Sequence, residues 1–443
     1  MRTPIVDFLR DYQASAPARF HMPGHKGSGF LGCEGWDITE VRGADALYEA
    51  DGIIAESEQN AAALFGAGRT CFSTEGSSQC IRAMLYLAVT NRAPGSAPVV
   101  LAARNVHKAF VYAAALVGFE ARWLWPEESR SLCACPLSPD ALKKALAEMP
   151  QPPAAVYLTS PDYLGGRADV GALAAVCRQA GVPLLVDNAH GAYLHFLRTP
   201  AHPLDLGAAM CCDSAHKTLP VLTGGAYLHA GRETARTWGG QMKEALCLFG
   251  STSPSYLTLA SLDGCNRYLQ EGYRERLEAR INDVAALRMQ LGRQGWHAEE
   301  SDPLRLTLRA PQGETGASLA DRLRRAGVEC EYADQEYLVL MITPENRPED
   351  LARVAKALGE NDRPCPAAQS LPVPRARQEM PIREAFFRPR ETVPAREALG
   401  RICASPTVAC PPAIPIAMAG ERIGPEAVAL FERYGVPFVE VIR

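Results

Sequence analysis

The sequence predicts an α/β fold: a mostly parallel sheet sandwiched by helices, then a small α+β domain and a C-terminal module. Three observations predict it. From about Leu64 to Ala230, short apolar strands alternate with helical stretches, the signature of parallel strands joined by crossover helices. A second, shorter alternation follows a long helical region from about Leu257 to Arg293. Prolines then cluster at Pro364, Pro366, Pro372, Pro374 and Pro381, where missing N–H groups and a fixed φ discourage helix and sheet alike.

The expected strands of the large sheet are Pro98 to Ala102, Glu120 to Leu124, Ala155 to Thr159, Pro183 to Val186, Ala208 to Cys212 and Gly225 to His229, each followed by polar or Gly/Pro punctuation. The second unit reads strand (Leu304 to Leu308), helix (Ser318 to Ala326), strand (Glu329 to Tyr332), strand (Tyr337 to Ile342) and helix (Pro348 to Leu358). The expected organisation is an N-terminal arm over 1–30, a large cofactor-binding domain over 31–265, a small α+β domain over 266–363, a Pro-rich linker over 364–385 and a C-terminal module over 386–443. At 443 residues the chain exceeds what one hydrophobic core usually supports.

Apolar and charged contents of 47% and 22% are those of a soluble globular protein. A formal net charge of -4 gives no basic field for nucleic acid or an anionic membrane. The longest apolar run, Ala109 to Phe119, is short of the ~20 residues a membrane span needs. Charge interrupts the first residues too early for a secretory segment, so a cytoplasmic location is expected. The fourteen cysteines are scattered through apolar segments without a Cys-x-x-Cys spacing, which reads as reduced thiols.

Asp187 ends the apolar run Val182 to Val186, and Lys217 follows the next expected strand in Asp213-Ser214-Ala215-His216-Lys217-Thr218. In sheets of this kind ligands bind beyond the carboxyl ends of the strands. An acid and a lysine there make a pyridoxal phosphate site plausible: the amine condenses with an aldehyde, and the acid keeps a pyridine nitrogen protonated. Alone, each residue is more often a surface lysine or a helix-capping aspartate.

Phe72 to Gln79 ends an apolar run and opens a helical stretch. Gly76, Ser77 and Ser78 are therefore candidate phosphate ligands, although serine at a helix start is also an ordinary N-cap. His107, just past the strand at Pro98, is placed to stack on a planar cofactor, with helix capping as the competing reading. Gly27 to Gly32 spells G-x-G-x-x-G, but no apolar strand precedes it, so it fails as a dinucleotide fingerprint. His21, His25, His190 and His216 lack any metal-ligand spacing, and no metal is expected.

Taken in order, Phe20-His21-Met22-Pro23-Gly24-His25-Lys26, Asp37-Ile38-Thr39-Glu40, Gly76-Ser77-Ser78, Arg104-Asn105-Val106-His107-Lys108, Asp187-Asn188-Ala189-His190-Gly191-Ala192, Ser214-Ala215-His216-Lys217 and Ser251-Thr252-Ser253-Pro254-Ser255-Tyr256 closely resemble the bacterial ornithine/lysine/arginine decarboxylases of the aspartate aminotransferase fold. Cys410-Pro411-Pro412-Ala413-Ile414-Pro415 and Ala419-Gly420-Glu421 look like that family's closing module. The resemblance covers nearly the whole chain and is to the short, biosynthetic-type members.

It implies a seven-stranded-type sheet binding pyridoxal 5'-phosphate, with Lys217 as the covalent attachment, Asp187 on the pyridine nitrogen, and His107 and Ala189 on the two ring faces. Ser77, Ser78, Ser214 and His216 would hold the phosphate, with Gly76 and His190 also in the cofactor site. Thr252 would reach the phosphate from a neighbouring subunit, which implies an obligate homodimer and leaves higher assembly open. Glu421 and His25 would meet the substrate, and His216 or Lys217 would return a proton to its α-carbon. The family usually reads Pro-Pro-Gly-Ile-Pro and Pro-Gly-Glu, where this chain has Pro412-Ala413-Ile414 and Ala419-Gly420-Glu421; an acid usual nearby is replaced around Ser405-Pro406.

The expected activity is decarboxylation of arginine, lysine or ornithine to an amine of the polyamine type. Competing readings are an aminotransferase or lyase on the same fold, with Arg305 and Arg309 available to grip an α-carboxylate, and a catalytically idle regulatory relative. Retention of Lys217, Asp187 and His107 weighs against the last.

Overall fold

A computed structural model describes all residues except 301, 368–370, 372 and 409–411. Pro372 of the proline cluster and Cys410 and Pro411 of the C-terminal motif thus lie outside the described residues. The large sheet comprises β1 (Arg69–Ser73), β2 (Ala97–Ala103), β3 (Glu120–Leu124), β4 (Pro153–Thr159), β5 (Leu184–Asp187), β6 (Met210–Asp213) and β7 (Ala226–Ala230), in the order β1-β7-β6-β5-β4-β2-β3. The expected mostly parallel α/β sheet is therefore present. The chain forms two compact units, one of Met1–Asn91 with Pro183–Glu275, the other of Arg92–Val182 with Arg276–Arg443.

In the first unit β5 and β6 run parallel with Asp187 opposite Cys212, while β7 is antiparallel to both β6 and β1. That reversal follows from the connection. A single helical turn, Ala215–Thr218, and a short loop join β6 to β7, too little chain for the crossover a parallel neighbour needs. Strands β5, β6 and β7 are buried throughout, which is why they read as continuous apolar runs rather than alternations. Strand β1, buried from Thr70 to Ser73, was not among the expected strands. Its Phe72 N–H donates to the buried carboxylate of Glu58, which pairs with Lys243. The long helical region expected from about Leu257 to Arg293 comprises two helices, Tyr256–Gln270 and Tyr273–Arg293. Gly272 between them has φ +69°, a left-handed backbone that ends a helix and that glycine adopts freely.

The second unit contains a four-stranded antiparallel sheet of β8 (His297–Ala298), β9 (Arg305–Arg309), β10 (Tyr332–Ala333) and β11 (Tyr337–Met341), ordered β10-β11-β9-β8, with helices Gly316–Arg325 and Pro348–Leu358. Leu306 and Leu308 of β9 join Leu319, Leu323, Leu338 and Leu340 in one core. The alternate residues serve the other face, as a period of two requires. Thr307 Oγ1 donates to Leu164 O at 2.7 Å, and Arg305 Nη1 donates to Asp162 O and Tyr163 O at 2.9 and 3.0 Å. Between 359 and 377 the described residues form neither helix nor strand. Helices Ile382–Phe387 and Pro425–Arg433 and the antiparallel pair β12 (Arg390–Pro394) and β13 (Phe438–Ile442) complete this unit.

Asp162, in the loop that Arg305 grips, accepts the Leu164 and Gly166 N–H groups through one oxygen. Burial pushes its carboxyl up from 3.8 to about 6, against the pull of those N–H groups and Arg305. The folded chain therefore binds more protons at this group than the unfolded chain between pH 3.8 and about 6, so its contribution to stability falls as pH rises through that window. Asp162→Asn keeps an oxygen for both N–H groups and is expected to remove this decline. The gain at neutral pH is on the order of 3 kcal/mol, read from urea unfolding midpoints of both proteins from pH 4 to 7.

Candidate active site

Asp187 is 2% exposed at the carboxyl end of β5, where its Oδ1 accepts the Ala189 N–H at 3.1 Å. Lys217 lies in the helical turn that Ser214 opens after β6. Its Nζ is 3.0 Å from Nε2 of His190, a residue on the loop that Asp187 begins. The parallel register thus brings the lysine amine to the acid's own loop. Ser214 Oγ donates to Ser77 Oγ at 2.8 Å, joining this turn to the first residue of helix Ser77–Thr90. Gly76 caps that helix at φ +75° and its N–H donates to Gly224 O at 2.7 Å. A Cβ on Gly224 would stand 2.6 Å from Thr74 O, so only glycine permits this approach. His216 Nδ1 lies 3.0 Å from Gly225 O and so carries a proton toward it.

Asp187, Ala189, His190, Ser214, His216, Lys217, Gly76, Ser77 and Ser78 therefore all lie in the first unit on three connected loops. Thr252 is exposed on a turn of the same unit, where the neighbouring Ser251 N–H donates to Glu75. His25 stands apart in the N-terminal segment, its Nε2 3.1 Å from Asp37 Oδ2 and its Nδ1 accepting the Gly27 N–H.

His107 and Glu421 belong to the second unit. His107 is the N-cap of helix Lys108–Val117, and its Nδ1 accepts the Ala109 N–H at 3.1 Å, which fixes the ring. Glu421 is 1% exposed; one oxygen accepts the Met418 N–H at 2.8 Å and faces Arg104 Nη2 at 3.3 Å, and the other has no hydrogen-bond partner among the described residues. Burial raises its carboxyl above the ordinary range, with Arg104 and the Met418 N–H opposing.

Sequence reasoning missed a buried network behind the first-unit loops. Asp213, fully buried at the end of β6, accepts Asn188 Nδ2 at 2.7 Å and faces His202 Nε2 at 3.0 Å and His229 Nε2 at 3.4 Å. Burial alone opposes ionisation here, but the two imidazoles hold the carboxyl far below the usual carboxylate range. His202, Cys211 and Asp213 bring donor atoms within 4.8 Å of one another, a juxtaposition no sequence spacing signalled. Leu204 N–H donates to His202 Nδ1, which places the proton of a neutral imidazole on Nε2, directed at Asp213. Hydrogen bonding thereby accounts for the cluster.

The sequence over residues 3–300 matches the family described as Orn/Lys/Arg decarboxylase, major domain. The chain belongs to the Orn/Lys/Arg decarboxylase family. It is 31% identical to the uncharacterized protein YaaO of Bacillus subtilis (strain 168), covering 98% of this chain and 94% of that one. It is 29% identical to the arginine decarboxylase of the same organism, over 96% and 92% of the two chains. The lysine decarboxylase LdcF of Francisella novicida has the same fold, with TM-score 0.80 at 16% identity over 100% of this chain and 81% of that one.

Ala413 holds φ +60°. A left-handed backbone strains any residue with a Cβ by about 1–2 kcal/mol, partly offset by the chain entropy glycine loses on folding. Ala413→Gly is expected to stabilise the protein by about 0.5–1 kcal/mol, seen as a raised melting temperature. Asp213→Asn removes the charge to which two imidazoles and Asn188 are directed, and should cost about 3 kcal/mol or more in urea unfolding.

Proposed function

We propose that this family member binds pyridoxal 5'-phosphate and decarboxylates a basic amino acid, arginine, lysine or ornithine, to its amine, as a cytoplasmic homodimer in polyamine-type metabolism. The observation that carries the reading is the Lys217 amine set against the loop of the buried Asp187, beside the Ser77–Ser214 hydroxyl pair at a helix start.

The donor set fits the cofactor. Hydroxyls and the free N–H groups of a helix's first turn suit a phosphate dianion. A primary amine suits an aldehyde, and a buried carboxylate suits a protonated ring nitrogen. When bound, the cofactor supplies an acceptor for the electron pair released as carbon dioxide leaves. Asp187, itself oriented by the Ala189 N–H, would keep the ring nitrogen protonated. Ser77, Ser78, Ser214 and His216 would hold the phosphate. By the family resemblance His107, its ring locked by capping, and Ala189 would lie on the two ring faces. Lys217 would hold the cofactor through its amine, and Lys217 or His216 would return a proton to the α-carbon.

The aminotransferase reading needs an arginine for the α-carboxylate. Arg305 is spent on Asp162 O, Tyr163 O and Asp302, and Arg309 on Glu299 and Pro366 O. The arginine decarboxylase activity named for the Bacillus subtilis relative makes arginine the first substrate to test.

The full chain with pyridoxal 5'-phosphate is expected to release carbon dioxide and the matching amine from arginine, lysine or ornithine. Lys217→Ala should lose ~1000-fold or more in rate together with the visible absorbance that borohydride fixes. A keto-acid product, or undiminished turnover by the variant, contradicts the reading.

A further inference from the structure

We propose that Arg104 is a positioning residue of the active site, through which the loop Ala413–Glu421 sets the placement of His107. The inference rests on the reading of His107 as a cofactor-facing residue. All the contacts involved lie within the second unit.

Arg104 and His107 occupy the turn that leaves β2. Arg104 is 3% exposed, and its guanidinium spans three acceptors on the C-terminal loop. Nη1 donates to Pro415 O at 3.0 Å, and Nη2 donates to Ile416 O at 3.0 Å and faces Glu421 Oε2 at 3.3 Å. The opposite end of the turn is fastened to the same loop, since the Lys108 N–H donates to Ala413 O at 3.0 Å. His107 is thus held between two anchor points on one segment that is some three hundred residues distant in sequence.

Two features make this a directional clamp rather than a packing contact. The guanidinium lies over the Trp123 and Trp125 rings at 5.3 and 5.6 Å, which fixes its plane. Glu421 is itself tethered by the Met418 N–H, so the carboxylate cannot follow a displaced arginine. A lysine at this position keeps the charge but offers a point donor in place of the rigid fork, and cannot satisfy two carbonyls and a carboxylate in this geometry.

The test uses the full chain. Hydrogen–deuterium exchange of the cofactor-free protein should show amides 105–110 opening ~10-fold faster in Arg104→Lys. Glu421→Gln should show a smaller change in the same direction, and carries the comparison where Arg104→Lys does not fold. In titrations with pyridoxal 5'-phosphate, Arg104→Lys is expected to weaken affinity ~10-fold. His107→Ala should also weaken it, and the double variant should be no weaker than His107→Ala alone. Unchanged exchange over 105–110 overturns the proposal, as does an Arg104→Lys loss that persists in full on the His107→Ala background. A His107→Ala protein with unaltered affinity and absorbance removes His107 from the cofactor site, and this proposal with it, while leaving the Lys217 test above standing.

Discussion

The buried carboxylate of Asp213 takes a hydrogen bond from Asn188 and faces His202 and His229, and so ties together the strand ends on which Asp187 and Lys217 stand. A charge in this environment is costly unless every lone pair is directed at a donor. Here the donors come from the loop after β5 and from the segment preceding β6, while the His229 imidazole of β7 stands 3.4 Å away. Neither strand end can shift without leaving an ion unsatisfied. The Asn188 N–H, donated to Cys212 O, adds a main-chain lock between the same two strands. The loops bearing the acid and the amine gain rigidity from this arrangement.

The second unit uses a comparable device with different chemistry. Arg104 and Glu421 are both almost wholly buried, and the pair fastens the C-terminal loop to the turn carrying His107. Elsewhere in the same unit, Arg305 and Thr307 of β9 fasten the loop that follows β4. In both places a side chain reaches carbonyl oxygens of an irregular loop. Such loops lack a ladder of their own and need these donors to satisfy buried backbone groups.

Much of the sheet was legible in the sequence. Strands β2 to β7 fall within two residues of the expected segments at every boundary; β5 to β7, buried throughout, must be apolar throughout. Helix Pro348–Leu358 matches its expected span, with proline at its first turn as the signal. Strand β1 was missed, although Thr70 to Ser73 are buried. The antiparallel sense of β7 and the break at Gly272 were not read, since loop length and one glycine's φ act only when neighbouring elements pack.

The sequence by itself determined the alternation of strands and helices, the loops bearing Asp187, Lys217, Ser77 and His107, and membership of a family whose motifs recur in order. These follow from local composition, which period and punctuation expose directly. Only the tertiary structure decided that Asp213 is the shared acceptor of residues from separate elements, that Arg305 and Arg309 are occupied, and that Glu421 is paired with Arg104. Those facts depend on which side chains meet across hundreds of residues of chain, and a long-range contact leaves no periodic mark on the segments that make it.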